Sequence, residues 1–305
     1  MPAACHVLVI SNAHSGRGNA SGVVARAIHE MLGARVSPRL LQVDRADPAP
    51  FIRRFREAMP RSDVLVVAGG DGTLHHALPV VAGTQVPVYH LPLGTENLFA
   101  REFDSCRDPR RLLRAVLNRR SRAVDVGLAA ADGGSTTPFA LMASIGPDAG
   151  VIRRLHAART GAITHLSYIQ PIWEELLEPS LPVMTIEADG RVLVSNTRGM
   201  LMVANSRQYG GRLDPARDAK VDDGLLDVVF FPATTGPAAG LWVLRSLVGV
   251  HATHPSAITA RARRVAVRSD SPMVHQMDGE LGTRPAHQLE FTVQPRALRV
   301  LLPGD

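Results

Sequence analysis

The 305 residues carry 34 lysines and arginines against 28 acids, a formal net charge of +6, with 45% hydrophobic and 20% charged content; this is the balance of a globular chain long enough for two cores, not of a disordered one. Cys5 and Cys106 are the only cysteines and form no Cys-x-x-Cys pair, so neither a disulfide framework nor a thiolate zinc site is suggested and a reducing cytosol fits. Lys220 is the only lysine, so no Gly-x-x-x-x-Gly-Lys-Ser/Thr loop exists and a P-loop NTPase is excluded.

In chain order, His6 to Ile10 predicts a strand, followed by a polar turn from Ser11 to Asn19 and a helix over Ala20 to Leu32. That turn offers Asn12 and Ser15 as side-chain donors and Gly16 and Gly18 for close backbone approach. Arg39 to Val43 reads as a strand, and Pro50 to Met59 as a helix with Phe51, Phe55 and Met59 along one side. Val64 to Ala68, after Asp63, is a continuous apolar run, the signature of a buried strand in a parallel sheet. It ends in Gly69-Gly70-Asp71-Gly72-Thr73, where the chain can turn sharply, through positive φ if needed, before a helix begins. A strand, a glycine turn and a helix N-terminus form an anion site from backbone N–H groups and dipole, and a phosphate is its natural occupant. Val86 to Leu91 is the next strand, closed by a loop carrying Gly94, Thr95, Glu96 and Asn97. Alternating strands and helices imply a parallel sheet whose ligands bind beyond the strands' carboxyl ends, so the ends near Asn12, Asp71 and Thr95 should share one crevice. Arg101 to Arg122 is rich in arginine over an apolar stripe and reads as a surface helix, with anionic lipid as the sharper alternative use.

From Ala123 the pattern becomes successive strands: Ala123 to Leu128, Phe139 to Ile145, Val183 to Ala188, Gly199 to Asn205, Leu225 to Phe231, Arg264 to Arg268, Met273 to Met277 and Gln288 to Gln294. These indicate an antiparallel, sandwich-like second domain. Two helices interrupt it, Ala157 to Leu177 and Pro237 to Val250, whose Tyr168, Ile172, Trp173, Leu176, Leu241, Trp242, Leu244 and Leu247 are expected in the core; an acyl-chain wall is the rival reading. The division is therefore 1–128 and 129–294. Asp218 to Asp227 bunches acids around Gly224, a turn with the oxygen donors a hard divalent cation takes. Asp278 and Glu280 face the same side if extended, whereas Asp278-Gly279 is the usual pair of a tight turn.

Taken together, Gly69-Gly70-Asp71-Gly72-Thr73, Pro92-Leu93-Gly94-Thr95, Val124-Asp125-Val126-Gly127, the segment from Ala219 to Asp227, and Asp278-Gly279-Glu280 resemble the diacylglycerol kinase catalytic-domain family, which includes sphingosine and ceramide kinases. The resemblance implies a Rossmann-like α/β domain of the NAD-kinase and phosphofructokinase type, a β-rich domain, and an active site in the cleft between them. It implies ATP and Mg²⁺ as cofactors and a lipid alcohol as substrate. Asn12, Ser15, Gly16 and Gly69 to Thr73 would line the phosphates, with Thr95, Glu96 and Asn97 in the adjoining loop. Asp71 and Asp278 would be the catalytic carboxylates, Asp278 as base, with Glu280 close to the nucleotide. A structural Mg²⁺ would be held by Asp223 and the main-chain oxygens of Lys220 and Leu225. The family also returns its C-terminal segment, here 295–305, to the first domain, and a homodimer is implied.

Two positions depart from that pattern: Asn97-Leu98 stands where Asn-Asp is usual, with Glu96 as the neighbouring carboxylate to replace it, and Ala13 follows Asn12 where proline is usual. NAD kinase is the nearest rival, and this chain lacks its Ser/Thr-Pro-Thr-Gly-Ser-rich segment; a non-catalytic nucleotide- or lipid-binding protein is the other. Val7 to Ile10 is too short for a signal peptide, and Gly236 to Val250, interrupted by Arg245, falls short of a span. The expected location is cytoplasmic, with peripheral contact to an anionic membrane. Aromatic residues do not interleave with the arginines, so nucleic acid is not an expected partner.

Overall fold

A computed structural model describes residues 5–12, 20–44, 47–157, 167, 169–210 and 213–303. The chain forms two compact units, Met1–Val124 with Arg296–Asp305, and Asp125–Pro295.

The first unit contains β1 (His6–Ser11), α1 (Ala20–Gly33), β2 (Ser37–Gln42), α2 (Pro48–Ala58), β3 (Val64–Gly69), α3 (Asp71–Val81), β4 (Val88–Pro92), α4 (Leu98–Glu102) and α5 (Pro109–Asn118). Its strands run parallel in the order β2-β1-β3-β4, with Val66 paired to Val9 on one side and Tyr89 on the other. Every residue of β3 is buried, as expected of a strand covered on both faces. Each buried Val or Leu there contributes about 1.5–3 kcal/mol. The arginine-rich stretch is not one helix: Arg101 lies in the last turn of α4, Arg110, Arg111 and Arg114 lie in α5, and Arg122 lies in a following strand. Asp108 accepts the Arg110 N–H at 2.9 Å and Pro109 follows it, so α5 starts there and buries Leu112, Ala115 and Val116.

The second unit contains most of β5 (Ser121–Ala131), then β6 (Thr136–Phe139), β7 (Met142–Ile145), α6 (Pro147–Ala157), α7 (Ile169–Leu177), β8 (Val183–Ala188), β9 (Arg191–Ala204), β10 (Leu226–Pro232), α8 (Gly236–Val248), β11 (Ile258–Ala262), β12 (Arg264–Met273), β13 (His275–Met277), β14 (Glu280–Leu281) and the first part of β15 (Ala286–Leu301). The pairing is antiparallel. The long β9 serves two neighbourhoods: Arg191–Arg198 pairs with β8, while Gly199–Ala204 runs between β7 and β10. Side chains from both, including Ile186, Leu201, Val203, Phe230 and Phe291, meet in one buried core.

Three expectations are corrected. The strand expected over Phe139 to Ile145 is broken at Ala140-Leu141, whose amides turn to a carboxylate described below. The helix expected over Ala157 to Leu177 is α6 and α7, with residues 158–166 and Tyr168 outside the described set. Of the apolar side chains expected in the core, Trp242 is buried, but Ile172, Trp173, Leu241, Leu244 and Leu247 are exposed. Among the described residues, no helix is long and apolar enough to cross a membrane.

Candidate active site

In the first unit, the ends of β1, β3 and β4 meet. Asn12 leaves β1 with its N–H on the Ala68 carbonyl at 3.1 Å, and its Nδ2 lies 3.4 Å from Thr73 Oγ1. Thr73, near the start of α3, is packed so closely on Gly69 that a Cβ there would fall 2.3 Å from its hydroxyl. Gly70 and Gly94 touch backbone to backbone: a Cβ on Gly94 would lie 2.6 Å from the Gly70 Cα. None of Gly69, Gly70 and Gly94 has positive φ, so close approach is what these positions require, not left-handed backbone.

Asp71 opens α3 and turns its carboxylate to the next loop. Its Oδ2 accepts the Leu98 N–H and its Oδ1 the Phe99 N–H, both at 3.0 Å. The side chain of Asn97, itself in left-handed backbone at φ 52°, closes the loop by two bonds of 2.7 Å to the N–H and carbonyl of Gly94. Leu98 therefore serves Asp71 through its amide, a role independent of its side chain. Behind the turn, the fully buried His90 lies 3.0 Å from the Gly69 carbonyl through Nε2, and its Nδ1 has no hydrogen-bond partner among the described residues. Burial pushes this imidazole below its usual range, against the opposing charge of Asp71.

In the second unit, Asp278 and Gly279 form the tip of the β13–β14 hairpin, with φ of 52° and 84°, the pattern of a type I′ turn. The Asp278 side chain folds back onto the break between β6 and β7. Its Oδ2 accepts the Ala140 N–H at 2.8 Å, and its Oδ1 those of Leu141 at 2.8 Å and Met142 at 3.1 Å. Gln276 Oε1 accepts the Gly279 N–H at 2.7 Å, and its Nε2 donates to Ser144 and Asp148, so the turn is braced from behind. Glu280 follows in β14 and is half-buried.

A chain of buried bonds links this carboxylate to the acidic loop. Asn205 donates to the Ala140 carbonyl at 2.8 Å and to the Asp125 carbonyl at 3.0 Å. Asp125 in turn donates its N–H to the Val221 carbonyl and accepts the Gly224 N–H at 2.7 Å. The loop's donor set does not fit the structural Mg²⁺ expected from the resemblance. Asp223 is ion-paired with Arg261 and accepts the Leu225 N–H, so a cation held there with the Lys220 and Leu225 carbonyls would have to displace a guanidinium. Arg261 also lies 3.5 Å from Asp227, whose carboxyl burial pushes up, against that arginine's pull. No cluster of three or more His, Cys, Asp or Glu suited to a metal occurs among the described residues.

The structure thus gathers Asn12, Gly69, Gly70, Asp71, Thr73 and Asn97 in one unit, and places Asp278 and Glu280 on one hairpin in the other. Thr95 is exposed and Glu96 half-buried in the Gly94–Asn97 loop. Ser15 and Gly16 lie outside the described residues. Sequence reasoning gave no role to His90, Asn205, Gln276 or Asp125. Only Asp125 carried a signal, its place in Val124-Asp125-Val126-Gly127.

The diacylglycerol kinase catalytic domain matches residues 6–129, and the YegS C-terminal NAD kinase beta sandwich-like domain matches residues 142–302. The chain belongs to the diacylglycerol kinase family. Among curated relatives of this family member, the "Diacylglycerol kinase" of Mycobacterium tuberculosis (strain ATCC 25618 / H37Rv) is 30% identical over 244 residues, 79% of this chain and 77% of that protein. The "Probable lipid kinase YegS-like" of Pseudomonas putida KT2440 is 30% identical over 249 residues, again 79% and 77%. The fold is that of a solved diacylglycerol kinase from Bacillus anthracis str. Sterne, with TM-score 0.70 at 18% identity over 97% of this chain and 96% of that one.

Proposed function

We propose that this protein is an ATP-dependent lipid kinase that transfers the γ-phosphate of ATP to the hydroxyl of a lipid alcohol such as diacylglycerol. The observation that supports it most is the pinned carboxylate of Asp278, held by three backbone N–H groups at a hairpin tip in a chain of this family. In a loose phosphoryl-transfer transition state the nucleophile gives up its proton late, so a carboxylate that orients the hydroxyl serves as the base. Asp278, fixed by its amides, orients that hydroxyl and takes the proton. Its neighbour Glu280 stands toward the nucleotide in this reading.

The glycine turn and the first turn of α3 hold the phosphates. The first amides of a helix precede its own hydrogen bonds, which in α3 begin with Thr73 and Leu74 on the Gly70 carbonyl. The amides ahead of them serve the phosphates, and the Gly70–Gly94 contact keeps Cβ atoms out of the way. A divalent cation fits here: each Asp71 oxygen accepts one amide and keeps a second lone pair, and Mg²⁺ needs only one or two carboxylates beside phosphate oxygens and water. When bound it neutralises charge on the transferring group. Glu96 is the carboxylate that stands in for the acid missing at position 98.

The test is a panel of lipid alcohols (diacylglycerol, monoacylglycerol, a sphingoid base) with labelled ATP and Mg²⁺, and NAD as a control acceptor. The expected result is ADP release that requires lipid, with label in the lipid product. NADP formation, or no lipid-dependent release with any acceptor, would overturn the reading.

A further inference from the structure

α8 is apolar on nearly every side, yet only Gly236, Ala239, Trp242 and Ser246 are buried. Leu241, Val243, Leu244, Leu247 and Val248 are exposed, Leu244 by 60% and Val248 by 73%. A helix apolar all round normally lies within a core or a bilayer. α7 packs on it: the Leu176 carbonyl sits where a Cβ on Gly236 would fall, and the Leu176 side chain comes within 3.6 Å of the Cβ position of Gly240. Beside that contact α7 exposes Ile172, Leu177 and Trp173, the indole by 65%. Such an apolar face on one unit calls for a partner.

We propose that the α7–α8 face is the surface by which this protein docks on an anionic lipid bilayer. The inference rests on the lipid-kinase reading, because a lipid alcohol resides in a bilayer, and it names where that bilayer is met. Charge selects the occupant. No Asp or Glu occurs between Asp227 and Asp270, so α8 and the segment after it bring no carboxylate to this face. The charged residue of α8 is Arg245, its guanidinium 4.7 Å from the centre of the Trp242 ring. A second guanidinium, of Arg217, lies against Gly249 at the helix's C-terminal end. On α7, Glu174 and Glu175 are both paired with Arg154. Anionic headgroups complement that rim, and hydrocarbon complements the leucines between. A second copy of the chain would oppose the same arginines to one another across a two-fold axis. Trp173 suits the headgroup level, where indole rings concentrate.

The experiment is co-sedimentation of the full chain with phosphatidylcholine vesicles with and without about a third phosphatidylglycerol, for the wild type and for Leu244→Glu/Leu247→Glu. The wild type should bind the anionic vesicles and release them at high salt, while the double variant binds about tenfold more weakly or worse. Because both leucines are exposed, its melting temperature should match wild type. Its turnover of a short-chain, monodisperse diacylglycerol should also match, while turnover of long-chain lipid in vesicles falls with binding. Equal vesicle binding by the double variant would overturn the proposal. So would a wild-type dimer that the variant breaks without losing vesicle binding. Failure of the wild type to turn over any lipid alcohol would end the kinase reading while sedimentation still decides the surface, and failure of the wild type to bind anionic vesicles would overturn the docking proposal alone.

Discussion

Asp71 and Asp278 each have both carboxylate oxygens on backbone N–H groups, but the two regions that supply those groups are built on different plans. Around Asp71, side chains are mostly removed: glycines let two loops touch, and the adjoining amides come from residues four and five positions past the Gly94 contact. Around Asp278, side chains are added. Asn205, Asp125 and Gln276 hold a broken strand and a hairpin in place through buried and half-buried bonds between residues far apart in the chain. The first plan tolerates no added bulk. The second tolerates no lost hydrogen bond.

That contrast can be broken most forcefully at Asp278 itself. Asp278→Ala should lower phosphate transfer by about 10²–10⁴-fold, the range for loss of a general base, with ATP affinity unchanged. ADP release and calorimetric titration with ATP check the two halves. Full activity would show that the second region only scaffolds.

Next is Asn205→Ala, which strands the buried carbonyls of Ala140 and Asp125. The expected loss is about 3 kcal/mol, from two unpaired groups at about 1–3 kcal/mol each, read by denaturant unfolding, and activity should fall with it because Ala140 carries an Asp278 contact. In the first region, Gly94→Ala must push aside backbone, not a side chain. It should cost about 1–3 kcal/mol, as overpacking does, and weaken ATP binding, with Gly70→Ala milder because its Cβ would sit 3.1 Å from the Gly94 Cα.

The smallest effect concerns His90. Its native pKa lies below the unfolded value of about 6.5, so as pH falls through that value the unfolded chain takes up a proton that the native state refuses. Stability is therefore present above about pH 6.5 and is lost progressively below it. His90→Gln keeps a donor for the Gly69 carbonyl and should flatten the fall in melting temperature between about pH 7.5 and 5.5. A remainder should persist from His275, which burial shifts the same way.

These two plans explain what was readable in the sequence. A contiguous motif such as Gly69 to Thr73 announces its strand, turn and helix, and the parallel order follows from alternation. What it hides is why the glycines are there: the partner of Gly70 is Gly94, and no periodicity reports a contact between loops. In the Asp278 region the tight turn is legible in Asp278-Gly279, but a role for its carboxylate came only through resemblance to a family. Ala140 and Leu141 sit inside an apolar run that reads as uninterrupted strand, and Asn205 is an ordinary residue after a strand. The leucines of α8 were misread for a third reason: apolar spacing shows that a face avoids water, not whether protein or lipid covers it.

The last strand has one more effect. Val300 lies beside Val88 in the parallel sheet, Ala297 accepts the Gly83 N–H at 2.6 Å, and Leu302 donates to Arg120 at 2.8 Å. A sheet begun by residues 6–11 is thus completed by residues 296–301. On the ribosome the order of manufacture and the order of assembly disagree: the half translated first keeps an open margin at β4 until translation has passed residue 301, and a fragment stopped at Pro295 would carry that margin permanently, ready to recruit a foreign strand.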